Sequence, residues 1–111
     1  MALLAVQVVS QAGITPTYAA ATGGGDTIPT GDTYVLICKN GGGSPITVTL
    51  DVQPGTTPAG DVYPEHIVTV PNGSEKWIGP LTPSIYRNPS TNTCAVTYSG
   101  VTTVTVGVVA L

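Results

Sequence analysis

From Ile46 to Gln53 the chain alternates strictly, with Ile46, Val48, Leu50 and Val52 on one side and Thr47, Thr49, Asp51 and Gln53 on the other. A two-residue period of this kind is the signature of a half-buried strand. The C-terminal run repeats it: Val104, Val106 and Val108 alternate with Thr103, Thr105 and Gly107 ahead of residues 109–111. Near the start, Leu4, Val6 and Val8 oppose Leu3, Ala5, Gln7 and Val9. Apolar residues on both sides predict a segment that is central in a sheet or covered by a neighbour.

Weaker strand patterns fill the middle, at residues 33–38, 66–70, 75–78 and 93–99, the last with Cys94, Val96 and Tyr98 on one side. The turns between them are explicit. Asn40-Gly41-Gly42-Gly43 separates 33–38 from 46–53, Pro71-Asn72-Gly73 separates 66–70 from 75–78, and Ser99-Gly100 leads into the last strand. Each reads as a hairpin connection, so three hairpins and antiparallel pairing are expected. Residues 54–64, rich in proline and glycine, read as a surface loop, and 80–89 as another, with Ile85 and Tyr86 a short edge strand. Gly23-Gly24-Gly25-Asp26 is a further breaker. The pattern has no helical stretch, repeat or linker. It predicts one domain over residues 1–111, an all-β sandwich or barrel of about eight short strands.

Composition adds a constraint. Of 111 residues, 41% are hydrophobic and only 8% charged, with a net charge of −3. Glycine (14) and proline (10) are abundant, yet that apolar share is too high for a chain unable to collapse. With so few charges, the outer faces are polar by hydroxyl and amide or else covered by a partner. Oligomerisation would also supplement the modest core of so short a chain. Lys39, Lys76 and Arg87 are the only cations besides His66, too few for a nucleic-acid footprint of six to ten phosphates. Residues 1–9 are too short to span a bilayer and lack a basic flank, so neither a membrane anchor nor a signal peptide is expected.

Reactive groups are sparse. His66 follows Glu65, and neighbours on a strand point to opposite faces, so that carboxylate is poorly placed to orient the imidazole. Asp26, Asp32, Asp51, Asp61, Glu65 and Glu75 mostly sit beside turns or on a hydroxyl-rich strand face, where solvation is the simpler account. Cys38, Cys94 and His66 fall short of the four ligands of a structural zinc site, and no calcium loop or phosphate-binding glycine loop occurs. No catalytic residue, metal or cofactor is expected. Cys38, Trp77 and Cys94 invite comparison with the immunoglobulin disulfide and tryptophan, but Trp77 lies much nearer Cys94 and position 92 is Asn. Both cysteines fall in apolar strand patterns, which favours buried free thiols over a disulfide.

The aromatic residues are Tyr18, Tyr34, Tyr63, Trp77, Tyr86 and Tyr98. Tyr34 and Tyr98 fit strand faces, whereas Tyr63, Trp77 and Tyr86 adjoin proline-rich loops and suit a protein interface better than a sugar site. Arg87, the only arginine, sits beside Tyr86 and is a candidate for a specific contact. With the two-sided apolar termini, the candidate interface residues are Leu3, Ala5, Val9, Trp77, Tyr86, Arg87, Val109 and Leu111.

Several segments together give the chain a family likeness: the Gly24-Gly25-Asp26 turn with Pro29, the strand ending in Lys39-Asn40-Gly41-Gly42, the strand Ile46-Thr47-Val48-Thr49-Leu50, the turn Pro71-Asn72-Gly73, and the ending from Tyr98 to Val108. In these it resembles the decoration, or cement, proteins of tailed-bacteriophage heads. The resemblance implies an antiparallel, jelly-roll-like β-sandwich, commonly a homotrimer, docked on the major capsid protein at the outside of the shell and without enzymatic activity. It transfers no individual functional residue. A tail or head-completion protein, a carbohydrate-binding module and an immunoglobulin-like adhesion domain are the alternatives.

Overall fold

The computed structural model describes residues 2–52, 59, 65–88 and 91–111. Among them the strands are β1 (Ala2–Leu3), β2 (Val6–Val8), β3 (Ala19–Ala20), β4 (Asp26–Pro29), β5 (Tyr34–Asn40), β6 (Ile46–Leu50), β7 (His66–Val70), β8 (Ser74–Ile78), β9 (Thr93–Tyr98) and β10 (Val104–Ala110). One sheet has the order β1-β4-β9-β6-β7, and the other β2-β10-β5-β8 with β3 also on β10. The fold is an all-β sandwich. Apart from Ala59, the expected loop at 54–64 lies outside the described residues, and Tyr63 with it.

Alternation places the core as the sequence predicts. Ile28, Val96, Val48 and Leu50 from the first sheet meet Leu36, Cys38, Val106 and Val108 from the second, all with no exposure. Each large aliphatic side chain taken fully out of water stabilises the fold by about 1.5–3 kcal/mol.

All three expected hairpins are absent, and the turns do something else. Strand β5 pairs with β10 and β8 while β6 pairs with β7 and β9, so the glycine-rich turn after Asn40 crosses from one sheet to the other. The turn at residues 71–73 likewise carries the chain from β7 in the first sheet to β8 in the second, and the one at 99–103 from β9 to β10. Packed sheets lie about 10 Å apart, a gap that three extended residues span. A hairpin and a crossing preserve the same inward and outward alternation. The pattern along the chain therefore identifies the core-facing rows without saying which sheet receives each strand.

Pairing is mixed rather than wholly antiparallel. Strand β1 runs parallel to β4, with Leu3 opposite Thr27, and β2 runs parallel to β10, with Val8 opposite Ala110. Both exceptions come from the N-terminal segment, which passes from one sheet to the other at Leu4 and Ala5 and so edges both. Leu4 is buried between the sheets. Residues 83–86 correct a second expectation: Pro83–Tyr86 form a helical turn, α1, not an edge strand. Proline suits the first position of a helix, where its missing N–H has no partner to lose.

The second sheet is also covered from outside. Ile37 and Val109 alternate outward yet are buried, and residues 17 and 18 lie over that face at Gly107. A Cβ at Gly107 would meet the Thr17 carbonyl at 3.0 Å and the Tyr18 ring at 3.1 Å, so a larger residue would push this segment outward by a few tenths of an ångström. Lys39 Nζ stands 3.9 Å from the centroid of Tyr18, a cation–π contact. Gln7 clamps the same segment, its Nε2 donating to the Thr17 carbonyl and its Oε1 accepting from Thr17 N, both at 2.8 Å.

Candidate interaction surfaces

The residues able to do chemistry are held in structural settings. Cys38 and Cys94 are free and buried, and burial pushes their thiols up to about 11 and about 12 respectively. Thiols so far from the thiolate form are poor nucleophiles at neutral pH. Glu65 is hydrogen-bonded to Asp51, which raises its carboxyl above the ordinary value. His66 is exposed, its ring centroid 6.3 Å from that of Tyr86. Among the described residues no group of three or more His, Cys, Asp or Glu could hold a metal ion, and no helix is long and apolar enough to cross a membrane.

Surface chemistry is more distinctive. Residues 1–25 and 88–111 contain no Asp, Glu, Lys, Arg or His. These two stretches meet in the fold, because β1 and β2 border the sandwich beside β4 and β10. The backbone continues the match where Val9 N donates to the Ala110 carbonyl at 2.9 Å, while on the β5 side Leu111 N donates to the Thr33 carbonyl at 3.0 Å. Along this edge Leu3 is 67% exposed, Val9 42% and Leu111 71%, and Ala5 is exposed as well. Thus four of the expected interface residues lie along one uncharged border. Val109, named with them, is only 1% exposed. It turns toward the outer face of the second sheet and is buried there.

The remaining three lie elsewhere. Trp77, 57% exposed, projects outward from β8, the opposite border of the second sheet, and its Nε1 donates to Glu75 Oε2 at 3.3 Å. Tyr86 ends α1 and is half-buried, packed against the core rather than displayed. Arg87 is exposed and occupied within the chain, its Nε donating to Asn92 Oδ1 at 3.0 Å. The guanidinium thereby contacts a residue with a φ of 58°.

The pattern reading missed other exposed apolar residues: Val8 on the uncharged edge, Ile67 on β7 and Ile85 in α1. Val8 shares the side of Leu4 and Val6 in the alternation, yet it is 67% exposed. Ile67 stands on the outer face of the first sheet, where Thr47 faces Thr69 and Thr49 lies between Ile67 and Thr97. That wide face is therefore mainly hydroxyl and methyl. Comparison with protein-family models, curated proteins and solved structures gives no match for this chain.

Proposed function

We propose that this protein is a structural component of a virus particle, a decoration protein that docks on the major capsid protein at the outer surface of a phage head and stabilises it as a homotrimer. The observation that carries the reading is where the exposed apolar residues lie. Leu3, Val8, Val9 and Leu111 follow the uncharged border, while Ile67 and Trp77 sit on β7 and β8 at the other. A sandwich with apolar residues on both borders can meet copies of itself along one and a shell along the other. Low charge along the arm border keeps the desolvation cost of contacts there small, since charged groups are costly to strip of water, whereas β8 at the other border brings Glu75 and Lys76 for polar contacts. Each contact is modest, and many copies on a lattice add their effects.

The sequence resemblance to head decoration proteins supports the same reading. Heat resistance of particles carrying and lacking the protein tests it. Decorated particles are expected to retain their genome to higher temperature, and equal resistance overturns the proposal.

A further inference from the structure

The N-terminal strands are bound in a way that lets them change owner. Residues 2–8 border both sheets through β1 and β2, and their large buried side chain is Leu4. The attachment is otherwise backbone pairing at two positions on β4 and three on β10, the Leu4 N bond to the Thr27 carbonyl at 2.9 Å, the Gln7 bonds to Thr17, and a half-buried Val6 against the core. Two of its four larger apolar side chains are mostly uncovered at home: Leu3 and Val8 are each 67% exposed. A short border strand with few buried contacts opens at low cost relative to global unfolding.

The segment that follows is built as a tether. Residues 9–13 are all exposed, and Gly13 turns there with a φ of 85°, its N–H donating to the Ser10 carbonyl at 3.0 Å. Eight extended residues, 9–16, reach about 26–29 Å, more than the 20 Å thickness of the molecule. A neighbour lying border to border is within that reach.

We propose that copies of this chain associate by exchanging residues 2–8, each arm supplying β1 and β2 to the next copy. The occupant is fixed by the structure itself. The site on β4 and β10 is complementary to this arm because it holds it, so the identical arm of another copy fits without a new contact being designed. The Gln7 clamp re-forms in trans, since Gln7 travels with the arm and Thr17 stays. Charge does not oppose the approach: with no acidic or basic side chain in residues 1–25 or 88–111, the repulsion between two chains of net charge −3 acts from a distance and is screened.

This inference rests on the self-association part of the proposed function and not on the capsid. Its test uses two full-length variants, Leu3→Cys and Thr27→Cys. The two positions are partners in the β1–β4 register, and paired strands fall within the Cα separation of about 4.4–6.8 Å that a disulfide spans. The variants are mixed, unfolded, refolded together at high concentration and oxidised with oxidised glutathione. Their mass is then read by light scattering and on a non-reducing denaturing gel. Exchange gives a disulfide joining one chain of each kind, in a yield that rises with protein concentration. An assembly that forms without that bond overturns exchange and leaves side-by-side association standing. A single-chain mass at every concentration overturns both.

Discussion

Tyr98 donates its hydroxyl to Asp26 Oδ2 at 2.8 Å, closing a buried pair across two adjacent strands of the first sheet. Asp26 has no exposed surface, and Thr22 N also donates to Oδ2, at 3.3 Å. The carboxylate therefore ties the glycine-rich turn at 22–25 to β9. Replacing Tyr98 by Phe keeps the ring and removes the donor. Because an acceptor left short of a partner costs more than a hydrogen bond gains, the variant should lose about 1–3 kcal/mol. Urea unfolding of the two proteins measures the difference, and equal midpoints would refute the role.

Alkaline pH should weaken the fold well before it damages the chain. Burial, with the Asp26 carboxylate second, raises the Tyr98 hydroxyl far above its usual 10.0, and Cys38 and Cys94 rise from 9.0 to about 11 and about 12. All three groups keep their protons in the folded chain at a pH where the unfolded chain has released them. Stability is thus fully present below pH 9 and falls as pH rises, through the thiol values and on into the tyrosine range. Urea midpoints taken at pH 8, 10 and 11 should decline in order. Thiol labelling at pH 8 should be slow for the native protein and reach two thiols per chain on unfolding. Fast native labelling would contradict the buried placement.

Asn40 holds three segments at once. Its Nδ2 donates to the Ser44 carbonyl at 2.8 Å and to the Val70 carbonyl at 3.1 Å, and its Oδ1 accepts from Gly42 N at 3.0 Å. Its own carbonyl takes the Gly73 N–H at 2.8 Å. The residue thereby joins two of the crossings between sheets. Asn40→Ala leaves buried carbonyls unpaired and should cost about 1–3 kcal/mol, with Asn40→Asp no better because it replaces the donating amide with an acceptor. Thermal unfolding of both variants decides the matter; a change below about 0.5 kcal/mol, the scale of ordinary surface substitutions, would show that the bonds are replaced by water.

Trp77 separates stability from docking. Because its side chain is largely exposed on a border strand, Trp77→Ala should shift stability by no more than about 0.5 kcal/mol. If that border meets the shell, the variant should nevertheless dissociate from particles at lower denaturant or salt than the parent. Co-sedimentation with undecorated heads reads this directly. Unchanged retention would move the docking surface away from β8.

How much was legible in the chain follows from which forces leave a local mark. Turn chemistry marked three of the crossings, at Asn40-Gly41-Gly42, Pro71-Asn72-Gly73 and Ser99-Gly100, but not the one at Leu4 and Ala5. The burial of Cys38 and Cys94 also followed from their neighbours. Strand β4 left little trace: its inward residues are Asp26 and Ile28 and it ends in Pro29, so its membership depends on Tyr98 satisfying a carboxylate 72 positions away. Four of the expected interface residues, Leu3, Ala5, Val9 and Leu111, share the uncharged border. Val109 does not join them, because burial of an outward position depends on a distant segment laid over it.

The alternation of Val with Thr by itself determined that this chain makes strands and which rows turn inward, because the period-two geometry of a strand is a property of the backbone. Only the tertiary structure decided that consecutive strands separate into opposite sheets, that the arm borders both, and that Gly107 receives Tyr18. Those outcomes depend on which distant surfaces fit together, and an inward row of valines packs equally well from either layer.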